Sequence, residues 1–143
     1  MLTAISPANG NTIRTYDENS TQEVVDKVKA AHQAFLTWRE TTFPQRVEKL
    51  RNTSKLLINR KEEYAVLMAT EMGKPIRDGW AEIEKCAWVC DYYADNALSA
   101  LQPETIGTDA RKSYITFKPL GVIMAIMPWN YPFWQVFRFA APA

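Results

Sequence analysis

The run Val122-Ile123-Met124-Ala125-Ile126-Met127 constrains this chain more than any other feature. Six apolar residues without alternation, rich in Val, Ile and Met and bounded by Gly121 and Pro128, are the pattern of a strand covered on both faces, as in a parallel sheet. Such a strand needs neighbouring strands and crossover connections of a dozen or more residues. The sequence supplies none after it. Ser113 to Lys118 alternates and reads as a strand with one exposed face, too close in sequence to complete a sheet. The expectation is therefore an incomplete α/β chain, a piece of a larger protein with Val122 to Ala143 only partly covered.

The rest reads as helices. Ser20-Thr21-Gln22-Glu23 is a capping box, and Val24, Val28, Ala31, Phe35 and Trp38 follow at helical spacing to about Arg39. Pro44 suits the first turn of a second helix that buries Val47, Leu50, Leu57 and Ile58. Beyond Arg60 the pattern continues through Tyr64, Leu67 and Met68 until Gly73-Lys74-Pro75 stops it. A fourth helix from about Pro75 to Leu101 carries Trp80, Ile83, Ala87, Trp88, Asp91, Ala94 and Leu98, with its aromatic residues expected in the core. Asn9-Gly10 near the start marks a small β-hairpin, and Pro132 to Ala143 opens another apolar helix.

Composition excludes several classes of partner. A net charge of +1 with both signs interspersed gives no footprint for nucleic acid or an anionic membrane. The uncharged stretch from Pro119 to Phe137 is broken by Pro128 and Pro132, which argues against a membrane span. No secretory signal opens the chain, and a cytoplasmic location is expected. Cys86 and Cys90, four apart on a helix, read as buried inert thiols, and neither they nor the single His32 make a metal site. Glu82 and Glu84 read as a solvated helix segment.

Chemistry concentrates at Pro128-Trp129-Asn130-Tyr131-Pro132, just past the carboxyl end of the apolar strand, where open α/β sheets place ligands. Two prolines stiffen the turn, and the Asn130 amide is a neutral donor suited to meet an oxyanion without reorganising. Asn130 bonding its own backbone in the turn is the alternative.

Pro119 to Pro132 resembles the P-x-G-V-x-x-x-I-x-P-W-N-(F/Y)-P signature of the aldehyde dehydrogenase superfamily. The opening Ser6 to Gly10, the Trp38 helix and Glu71 to Pro75 are similar in order and spacing. The resemblance implies the amino-terminal part of an aldehyde dehydrogenase fold, helix-rich, with the first strands of a Rossmann-like parallel sheet. It implies that residues 1–143 belong to the NAD(P)-binding domain, that 111–120 begin the oligomerisation segment of a homo-oligomer, and that the catalytic domain is absent.

By the same resemblance Asn130 is the catalytic oxyanion donor, and Met127, Pro128, Trp129 and Asn130 line NAD or NADP. Arg138, eight positions after Asn130, grips the distal carboxylate of a substrate like succinate semialdehyde, and Trp134 shapes the tunnel. Arg138 stands among apolar neighbours, so burial beside an anionic partner is expected. The nucleophilic cysteine and general-base glutamate of the family have no counterpart here, so this chain alone is expected to be inactive. A different aldehyde, or a non-catalytic helical interaction module, are the alternatives.

Overall fold

A computed structural model describes residues 1–143. The chain runs β1 (Leu2–Ile5), β2 (Thr12–Tyr16), α1 (Thr21–Trp38), α2 (Phe43–Asn59), α3 (Lys61–Met72), α4 (Ile76–Ala100), β3 (Glu104–Ile106), β4 (Ser113–Ile115) and α5 (Pro132–Ala140). The strands form two separate antiparallel pairs, β1 with β2 and β3 with β4. The hairpin expected at Asn9-Gly10 is present, with Leu2 opposite Tyr16 and Gly10 at φ 74° in the region glycine tolerates. β4 falls where the alternating strand was read, and its partner β3 is an additional element.

Helix boundaries follow from local chemistry. The Ser20 hydroxyl accepts from the Glu23 amide while the Glu23 carboxylate accepts from the Ser20 amide, closing the capping box at the start of α1. Gln45 accepts from the Thr42 amide at 2.8 Å at the start of α2, where Pro44 fills the first turn. Gly73 ends α3 at φ 72°. Helix α4 is the centre of the fold, with α2, α3 and α5 packed around it. Its face carrying Ile83, Cys86, Ala87 and Cys90 joins Leu57 of α2 and Met68 of α3 in the core. Phe133, Trp134 and Phe137 of α5 close one side. Gly79 lets α3 approach, since a Cβ there would stand 3.0 Å from the Ala65 Cβ.

Three expectations fail. Val122 to Met127 forms no strand: it pairs with nothing, and it is left open as expected of an incomplete sheet, with Leu120 and Ile126 94% and 83% exposed. The physical reason is that both hairpins pair only internally, so the run has no neighbour to supply hydrogen bonds or cover. The stripe of α1 forms but stays largely open, with Val24, Val28 and Trp38 exposed and no residue of the helix buried. Trp88 and Leu98 of α4 also face outward, as do Ile58 and Leu67, because a single layer of helices around α4 covers only one side of each.

A polar clasp ties α2 to α4. Asp91 accepts from Arg51 Nη1 at 2.7 Å and from the Ser54 hydroxyl at 2.6 Å. Burial pushes its carboxyl up, but Ser54 and Arg51 outweigh that and leave it below the ordinary carboxylate range. A lowered folded-state value stabilises above the unfolded-chain value of about 4 and is lost as pH falls through the folded one. The stability difference between the protein and its Asp91→Asn variant should be on the order of 1 kcal/mol and flat from neutral pH down to about 5. It should shrink below about pH 4, as read by urea unfolding across that range.

Candidate active-site turn

The turn from Pro128 to Pro132 leads straight into α5, whose first helical residue is Pro132. Proline has no N–H, so the first free amides of α5 belong to Phe133 and Trp134. Both donate to a single oxygen, Glu82 Oε1 on α4, at 2.9 Å each. The other Glu82 oxygen pairs with the Lys74 ammonium. This pair is nearly sealed, with side-chain exposures of 8% for Lys74 and 2% for Glu82. Lys74 Nζ also stands 3.8 Å from the centre of the Tyr131 ring, a cation–π contact at the residue after Asn130. Each ion therefore has partners for the charge it buries.

Glu82 is thus a correction: it is not solvated like Glu84, which is exposed and pairs with Lys61 at 2.6 Å. Helical spacing held the signal. Glu82, Cys86 and Cys90 are four apart on the buried face, and an acidic residue there must find a cation or amides.

Of the residues singled out by sequence, Met127 is half-buried, while Pro128 and Asn130 are exposed and Trp129 is 76% exposed. Asn130 lies open because the segment before it is uncovered. The Asn130 side chain makes no hydrogen bond within the chain, unlike Asn9, whose Oδ1 accepts from the Asn11 amide at 3.0 Å. Its amide is free to meet another group. Trp134 and Arg138 line one cleft of about 510 Å³ between α4 and α5, with Tyr131, Lys85 and Gln135.

Arg138 corrects a second expectation. It is exposed and has no carboxylate partner, because the apolar face of α5 that meets α4 is made by Phe133, Trp134, Phe137 and Ala141. The free guanidinium therefore points its charge at the cleft rather than into a core. Lys85 Nζ lies 4.0 Å from the Trp134 ring and adds a second cation at the same opening. Gln135 is the buried polar residue of this helix, and its Oε1 has no partner.

The thiols behave as read from sequence. Burial, with the Glu82 charge adding to it, pushes Cys86 up to about 12, and burial with Asp91 pushes Cys90 up to about 11. Thiolate is scarce at neutral pH, and neither cysteine is a nucleophile. No group of His, Cys, Asp or Glu is arranged to hold a metal. No helix is long and apolar enough to cross a membrane.

The helical scaffold thus holds a Pro-Trp-Asn-Tyr-Pro turn whose Tyr131 joins a cleft lined by both signs of charge, Asp78 and Glu82 with Lys85 and Arg138, while the free Asn130 amide lies beside that lining rather than in it. Residues 1–143 match the aldehyde dehydrogenase family, and the chain belongs to it.

Several similar proteins are named as succinate-semialdehyde dehydrogenases, and similar solved structures also include betaine aldehyde dehydrogenase from Staphylococcus aureus. The probable succinate-semialdehyde dehydrogenase (NADP(+)) of Synechocystis sp. is 49% identical over 142 residues, 99% of this chain and 31% of its own length. The succinate semialdehyde dehydrogenase Sad (NAD(P)+) of Escherichia coli is 40% identical over 139 residues, covering 97% of this chain and 30% of itself. The crystal structure of succinic semialdehyde dehydrogenase from Streptococcus pyogenes, in complex with NADP+, superposes with a TM-score of 0.92 at 31% identity. That match covers 98% of this chain and 31% of the other. The chain thus spans about a third of the length of the relatives it matches.

Proposed function

We propose that this chain contributes the oxyanion donor and the substrate-carboxylate ligand of an NAD(P)-dependent succinate-semialdehyde dehydrogenase. The observation that carries the reading is the free Asn130 amide on a turn held from below by Glu82 and Lys74.

In this reading the aldehyde carbonyl lies over the turn while a cysteine thiolate from outside residues 1–143 attacks it. Negative charge then grows on the carbonyl oxygen. Asn130 donates its side-chain N–H to that oxygen, and does so again when water attacks the thioester. The donor is uncharged, so the ground-state aldehyde gains less from it than the oxyanion does, and the difference appears in the rate.

The segment Met127 to Asn130 suits a dinucleotide because it lies outside the helices and strands and the Trp129 indole is open. Met127, Pro128 and Trp129 would line NAD or NADP there. The bound nicotinamide supplies the acceptor for the hydride leaving the aldehyde carbon.

Arg138 is assigned the distal carboxylate of the substrate. Its fork of donors matches a carboxylate in two parallel bonds, and the guanidinium forms no ion pair within the chain, although Asp78 and Glu82 line the same cleft. Trp134 forms a wall of the same cleft. The names of the relatives support succinate semialdehyde over an uncharged aldehyde. Arg138→Ala in the full-length protein should lower kcat/KM for succinate semialdehyde by roughly 100-fold, mostly through KM, as expected for loss of a charged hydrogen-bonded pair. Oxidation of butyraldehyde, which lacks the carboxylate, should change by less than about threefold. Equal losses on both aldehydes would remove Arg138 from substrate recognition.

The same reading makes residues 1–143 part of a cytoplasmic enzyme's NAD(P)-binding domain. Residues 111–120, which include the exposed strand β4, would begin the segment that joins subunits of a homo-oligomer.

A further inference from the structure

We propose that Glu82 is the positioning residue of the active-site turn, acting through the amides of Phe133 and Trp134 to set where the Asn130 side chain sits; this rests on the reading of Asn130 given above. The apolar side chains of α5 fix which face of the helix meets α4, but packed hydrocarbon tolerates sliding along the helix axis. Two N–H groups converging on one carboxylate oxygen do not, because hydrogen bonds weaken steeply with distance and angle. The carboxylate also sits at the positive end of the helix, where a negative charge is favoured.

Stiffness carries that anchor back to Asn130. Pro132 disfavours the helical region for the residue before it, and Tyr131 lies outside that region at φ −136° and ψ 72°. The Tyr131 ring is held by the Lys74 ammonium, which is itself held by Glu82. Lys74 has little freedom, since it follows Gly73 in a left-handed conformation and precedes Pro75. Asn130 is therefore one residue from a clamped ring and three from a bonded amide. A displacement of about 1 Å at such a donor is enough to cost roughly 100-fold in rate.

The test uses the full-length protein in a background free of buried charge. Lys74→Met combined with Glu82→Gln keeps a carbonyl acceptor for the two amides, whereas Lys74→Met combined with Glu82→Leu removes it. With both variants folded by thermal unfolding, the Gln version should recover at least about tenfold in turnover over the Leu version. Asn130→Ala is then added to the Leu version. A positioning role predicts a turnover within about threefold of Asn130→Ala alone, because a misplaced donor and a missing donor lose the same interaction. Equal turnover of the Gln and Leu versions, or losses that multiply with Asn130→Ala, would overturn the role assigned to Glu82. An Asn130→Ala protein as fast as the parent would instead overturn the reading of Asn130, and this inference with it.

Discussion

Replacing Asn130 by alanine in the full-length protein should lower the rate of aldehyde oxidation by two to three orders of magnitude, about 3 kcal/mol in the transition state. The size follows from what the amide does rather than from how much it packs. Asn130 is exposed, bonds nothing within the chain, and lies outside the core, so its removal should leave the melting temperature nearly unchanged. Loss of rate without loss of stability is the signature of a group used only when charge develops. Single-turnover measurement of hydride transfer, with cofactor and aldehyde saturating, reads the step directly. Asn130→Asp should be as slow or slower, because a carboxylate repels the charge that the amide stabilises.

The largest stability effect should come from Lys74→Ala. Breaking a buried ion pair from one side leaves the other charge in a place that water cannot reach, at a cost of about 3–5 kcal/mol. Glu82 keeps its two amide donors in that variant, so the lower part of the range applies. Removing both charges together while keeping an acceptor for the two amides, as Lys74→Met with Glu82→Gln, should restore much of the loss, because the desolvation cost of both ions disappears with their attraction. Urea unfolding of the parent, the single variant and the pair gives the three midpoints. A single variant as stable as the parent would mean that the pair is not sealed as the structure has it.

Much of the helical frame was legible because its signals are local. Ser20 and Glu23 cap each other across one turn, Gly73 adopts the one conformation that ends α3, and the spacing of Ile83, Ala87 and Ala94 marks the buried face of α4. The Pro-Trp-Asn-Tyr-Pro turn was legible for the same reason. Val122 to Met127 was misread as a strand because it has no neighbour to pair with, whereas its lack of cover was legible in the absence of later strands. Arg138 was misjudged because its neighbours in sequence are apolar, while on a helix they point elsewhere; Val136 is exposed and Phe137 packs inward. Glu82 was misread as solvated although its spacing from Cys86 and Cys90 marked the buried face; its partners lie 8 and about 50 residues away, and only the fold brings Lys74, Phe133 and Trp134 to it.

The proposed catalysis turns on one amide meeting one oxygen. A crystal structure of the full-length protein with an aldehyde trapped on its nucleophile tests it most directly. The predicted result is Asn130 Nδ2 at about 2.7–3.1 Å from the oxygen derived from the carbonyl, with Glu82 still bonded to the amides of Phe133 and Trp134. An Asn130 amide turned away from that oxygen, with other donors holding it, would contradict the account.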